Sequence, residues 1–126
     1  MARTVALIFG VIYTIVGVAG FINPIGGTLG MAPSVLLGFA SVNLVHNIVH
    51  LALGFWGLAA AGDQARAVSY CQIVGVVLIV LALLGFFVPN PLGLIPIGGN
   101  DPWIHLVSGV ILAFAGFARS GSAART

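Results

Sequence analysis

The six charged side chains of this sequence, Arg3, Asp63, Arg66, Asp101, Arg119 and Arg125, never fall inside an apolar run. They lie at the ends of four such runs, about residues 3–22, 42–61, 67–88 and 102–118. Each run is near the roughly 17–25 residues that cross a hydrocarbon core as a helix, the form that satisfies every backbone polar group within its own segment. A chain that is 60% hydrophobic and 5% charged cannot cover itself for water, because soluble domains are about a quarter charged. The expected fold class is an all-α membrane protein, a four-transmembrane-helix bundle forming a single domain over residues 1–118.

The breaks between runs carry turn chemistry: "NPIGG" after the first, "AGDQAR" after the second and "VPNPLGLIPIGGND" after the third. Arg3 precedes the first run, Arg66 separates the second from the third, and Arg119 and Arg125 follow the fourth. The connections 23–41 and 89–101 hold no Lys or Arg. Positive residues favour the cytoplasmic side, so both termini are expected there, in a multi-pass protein of the inner membrane. The start, Met1 to Gly20, resembles a signal peptide, but its apolar run is longer than a signal core, which predicts a retained helix. Residues 31–41, "MAPSVLLGFAS", read as a short interfacial helix or an extension of the second span. The small, polar tail 119–126 is expected to be disordered.

Composition also excludes functions. A pI near 9.3 rests on a net charge of +2 with no clustered basic patch, which argues against nucleic acid. The lone Cys71 allows no intrachain disulfide. No nucleophilic triad pattern, paired carboxylates or phosphate-binding loop stands out, so no enzymatic activity is expected. The expected partners are the lipid bilayer and other membrane proteins.

The two halves repeat. Thr4, Gly10, Gly17, Gly20 and Phe21 align at one offset with Ser69, Gly75, Ala82, Gly85 and Phe86, and "NPIG" at Asn23 is echoed by "NPLG" at Asn90. His50-Leu51-x-x-Gly54 aligns with His105-Leu106-x-x-Gly109 in a chain with only three histidines. The halves form two similar helical hairpins with the same topology, so a pseudo-twofold axis would run along the membrane normal and place His50 opposite His105. The same alignment sets His46 against Asp101.

The stretch "NLVHNIVHLALGFWGL" places Asn43, His46, Asn47 and His50 on one helical stripe. Ionisable groups within a span line a cavity or pathway by default. His46, His50 and His105 are therefore candidate ligands for a transition metal or a haem, with Asn43 and Asn47 orienting the rings from behind. Asp101 is either a further ligand or, in "NDPW", a helix cap ahead of Pro102. Gly54, Gly57, Gly109 and Gly116 are expected to pack helix against helix. The competing readings are interhelical hydrogen-bond glue in an accessory subunit of a membrane complex, and a proton relay, which lacks polar residues to continue it.

"NLVHNIVHLALG" followed by "DPWIHLVSG", in a chain with four apolar runs, resembles a bacterial membrane family classed as a domain of unknown function. The resemblance runs from about Arg3 to Arg119 and implies a small four-span inner-membrane protein, with no activity or site residues to transfer.

Overall fold

The structure is a computed structural model and describes residues 1–117. Arg119, Arg125 and the tail 119–126 lie outside the described residues. Among the described residues four α-helices are formed: α1 (Ala2–Ala19), α2 (Leu44–Ala60), α3 (Gln64–Phe87) and α4 (Asp101–Phe117). Together they form an all-α bundle made of two hairpins. α1 packs most closely on α2, and α3 on α4, while contacts between the hairpins are sparser. α1 (18 residues) and α3 (24 residues) are long and apolar enough to cross a membrane. α2 and α4, at 17 residues each, are equally apolar; α2 is shorter than the run 42–61 that contains it.

Caps explain where the helices begin. Asn43 is extended and its side chain accepts from His46 N at 2.8 Å, starting α2 two residues into its apolar run. Asp63 caps α3 in the same way, accepting from Arg66 N at 2.9 Å. Both long connections open with a 3₁₀ turn at the repeated motif, Asn23–Ile25 and Pro91–Gly93. Gly26 and Gly93 each take positive φ, 98° and 67°, which glycine adopts without steric cost.

Residues 31–41 form neither an interfacial helix nor an extension of the second span. They hold β1 (Ser34–Leu36) and part of β2 (Ala40–Val42), an antiparallel pair in the register Ser34↔Val42, Val35↔Ser41 and Leu36↔Ala40. Leu37 and Gly38 turn the chain with φ of 53° and 70°, and Leu37 N is anchored on Ile25 O at 2.7 Å. Two consecutive residues at positive φ suit a tight hairpin and break a helix.

Close backbone approach is the signature of the duplication. A Cβ added to Gly10 would lie 2.7 Å from Leu58 N, and one added to its repeat equivalent Gly75 would lie 2.5 Å from Ala113 N. Gly54 meets Thr14 N at 2.5 Å, and its equivalent Gly109 meets Ile79 N at 3.0 Å. Gly57 faces Gly10 Cα, and Gly116 faces Gln72 N. In the first two of these pairs the partner residues are themselves repeat equivalents, Leu58 with Ala113 and Thr14 with Ile79, so both hairpins share that part of the packing scheme. Away from the connections, Ala2, Ala6 and Ala67 fill a small-residue seam between the hairpins, and Tyr70 Oη donates to Leu53 O at 2.9 Å.

The surface is inverted relative to a water-soluble protein. Buried positions include Asn43, His46, Asn47, His50, Asp101 and His105, whereas Ile15, Phe55, Val80, Phe87 and Phe114 are each more than half exposed. Exposed apolar side chains on this scale mark contact with another apolar phase.

Candidate functional site

α2 and α4 carry the histidines near their starts, on faces turned toward the opposite hairpin. His46 and His50 are one turn apart, with ring centroids 4.3 Å from each other, and His105 of α4 closes the group with its centroid 5.9 Å from His46. Potential ligand atoms of all three residues lie within 4.8 Å of one another, and all three side chains are buried. The structure thus brings together His50 and His105, which the repeat sets at one depth, with His46 one turn from His50.

Each ring has Nδ1 buried without a hydrogen-bond partner. Asp101 has one free oxygen as well: Oδ2 is buried and unpartnered, 3.9 Å from His46 Nδ1. Buried polar atoms are paired in the great majority of cases, so several unpaired atoms converging from two hairpins mark a place for a further group.

The asparagines do something else. Asn43 Nδ2 donates to Met31 O at 3.1 Å and Leu94 O at 2.8 Å, and Asn47 Nδ2 donates to Gly20 O at 2.7 Å and Thr28 O at 3.2 Å. These bonds fasten the connections onto α2, and neither asparagine hydrogen-bonds an imidazole. The expectation that Asn43 and Asn47 orient the rings is therefore corrected. Helical spacing put them on the histidine stripe correctly, but their nearest polar neighbours are loop carbonyls that have no helix to satisfy them.

Asp101 also departs from its role as a cap. It is the first residue of α4, and its Oδ1 accepts from Ser41 N of β2 at 3.1 Å, not from the first turn of its own helix. Asn100 Nδ2 adds a bond to Phe39 O at 3.1 Å. The β1–β2 hairpin of the first half is thereby tied across the pseudo-twofold to the start of α4. A cap satisfies a local donor, whereas here a strand edge with an open N–H competes for the same carboxylate.

Tyr13 and Ser108 complete the surroundings. Tyr13 is buried, with its ring stacked on His50 at 5.6 Å and 28°. The spacing Gly10, Tyr13, Gly17, Gly20 marks it in the sequence, with Tyr13 as the aromatic residue on that buried stripe of α1. Cavities of about 100 Å³ and about 250 Å³ flank the histidines, one between α2 and α3 and the other between α1 and α4.

Two hairpins of one design, meeting around a buried histidine cluster, define a duplicated four-helix bundle with its polar groups turned inward. The chain belongs to the family described as Domain of unknown function (DUF4383), which it matches over residues 3–118. No curated protein and no solved structure matches it.

Proposed function

We propose that this chain is a multi-pass inner-membrane protein that binds one first-row transition-metal ion, without catalysis, through His46, His50 and His105. The observation that carries this reading is the convergence of three buried imidazoles from two hairpins, each with an unpartnered Nδ1. Neutral imidazole suits Zn, Cu, Fe and Ni, and the adjacent Asp101 oxygen offers a fourth donor or a charge to balance the ion. A three-nitrogen, one-oxygen set fits four-coordinate zinc, whose ligands are His nitrogens and carboxylate oxygens at about 2.0–2.2 Å. The present spread of up to 4.8 Å would contract on binding by side-chain rotation.

A bare ion is favoured over a haem. A macrocycle held between His50 and His105 would need the space around their midpoint, and His46 lies within 4.8 Å of both. Membrane insertion is supported by the inverted surface and by the two long apolar helices. Cytoplasmic termini follow from Arg3 and Arg66, which flank the helix ends opposite the histidines. The glue reading has one observation in its favour, namely the asparagine tethers, and it applies to Asn43 and Asn47 alone.

The test is elemental analysis of protein purified in mild detergent without chelators, with His50→Ala and His105→Ala alongside. Near-stoichiometric metal in the wild type and none in either variant supports the site. Cobalt loaded in place of zinc would add a visible spectrum reporting tetrahedral nitrogen and oxygen ligation. Metal-free wild type that also fails to take up zinc or cobalt overturns the reading and leaves an accessory membrane subunit.

A further inference from the structure

The cavity of about 250 Å³ between α1 and α4 has two unlike kinds of lining. Its walls are apolar, formed by Phe9, Ile12 and Val16 of α1, Ile104 of α4 and the β1–β2 hairpin above. Its polar lining is small and comes from Tyr13, the three histidines, Asp101 and Ser108. Among those groups are the unpartnered Nδ1 atoms and the unpartnered Asp101 Oδ2, on a residue only 2% exposed. The mouth is lined by Ile12, Leu37 and Phe39, which are 43%, 70% and 56% exposed on the apolar outer surface. Entry is therefore from the apolar phase, and an entering molecule must be soluble there.

The chemistry of the polar lining narrows the occupant. A carboxylate or phosphate head would be driven off by the Asp101 carboxylate and by the cost of burying its own charge. A neutral head with carbonyl or hydroxyl oxygens matches imidazole N–H and Tyr13 O–H donors. Tyr13 and His50 both line the cavity as a pair stacked on each other, 5.6 Å apart at 28°, and form an aromatic ledge against which a flat ring can pack. Concave apolar walls with a few convergent polar groups are the usual build of a small-molecule site.

We propose that this cavity binds the head group of a lipid-soluble quinone or quinol, with its ring on the Tyr13–His50 ledge, its oxygens toward the histidines and its tail leaving between α1 and α4. The site shares the histidine nitrogens and Asp101 Oδ2 with the metal reading, but its apolar walls and the Tyr13–His50 pair belong to the cavity alone. An ion takes one nitrogen of each imidazole, and the other nitrogen keeps a proton to donate. The α2–α3 cavity touches the same histidines but includes neither Tyr13 nor Asp101, so it lacks the ledge and the free carboxylate oxygen.

The test is binding of a decyl-substituted benzoquinone to chelator-treated protein in lipid nanodiscs, with empty discs subtracted and decylbenzene, which lacks the oxygens, as the comparison. Saturable binding is expected for the quinone, weakened about tenfold or more by Val16→Trp, which fills the cavity from its wall without removing a polar group. Ile104→Trp fills it from the α4 side and serves if the first variant fails to fold. Equal binding of decylbenzene would make the cavity a groove for acyl chains and overturn the proposal, as would quinone retention no greater than in empty discs. Zinc titration of the same preparations separates the two readings. Loss of zinc uptake with retained quinone sinks the metal site alone, and the converse sinks the quinone site alone.

Discussion

Where α2 begins, the first hairpin carries His46 and Asn47, and at the equivalent start of α4 the second carries Asp101 and Pro102. Further along, the two hairpins match contact for contact: Gly10 on Leu58 and Gly75 on Ala113, Gly54 on Thr14 and Gly109 on Ile79. The difference also reaches the connections, since only the first contains a strand pair. Duplication has preserved what brings helices together and released what sits at their starts. Gly20 illustrates the exchange. It packs on the Asn47 side chain, while its equivalent Gly85 packs on the Pro102 ring in the same place. A hydrogen-bonding anchor in one half is a rigid helix start in the other.

The comparison is tested most severely at the shared contacts. Gly10→Leu and Gly75→Leu should each cost about 3 kcal/mol or more, read from unfolding in detergent, because backbone atoms of the partner helix stand where the side chain would go. Markedly unequal losses would show that the hairpins are not energetic equivalents. At the site, His50→Ala and His105→Ala should lower zinc affinity by a similar factor, beyond the roughly 100-fold typical for an outer partner of a ligand. A large effect from one and none from the other would break the symmetry between them.

The divergent positions should respond differently. Asn47→Ala should leave zinc binding intact while lowering stability by about 1–2 kcal/mol, since Gly20 O and Thr28 O lose their donor. Differential scanning fluorimetry beside a zinc titration separates the two effects. Asp101→Asn should weaken zinc roughly tenfold and leave the Ser41 bond in place, because the amide oxygen still accepts. The smallest change belongs to an exchange of equivalents: His46→Asp combined with Asp101→His should bind zinc within about tenfold of the wild type. A dead double variant would mean that the two positions are equivalent in sequence but not in reach.

Much of this arrangement is legible in the sequence, for identifiable reasons. Four helices follow from apolar runs bounded by charges, and the convergence of His50 with His105 follows from the repeated His-Leu-x-x-Gly motif. The strand pair at 34–42 is hidden because a short apolar run has no decisive period, and the turn rests on Leu37, a residue with no preference for positive φ. The asparagines lie on the stripe that helical spacing predicts, yet their donors meet loop carbonyls and not the imidazoles. Periodicity fixes which way a side chain points, not which loop folds back to meet it. Asp101 differs for a related reason: Asp before Pro favours a cap locally, but Ser41, 60 residues away, supplies a donor that no local rule can see.

The small-residue seam at Ala2, Ala6 and Ala67 gives the bundle a pivot. At the opposite end the hairpins are linked by Asn43 to Leu94, Ser41 to Asp101 and Asn100 to Phe39, all of them bonds made through the connections. A pair of tongs is built this way, joined at one end and spanned at the tips. The ends of the hairpins that carry the histidines are thus joined through the loops as well as through the helices.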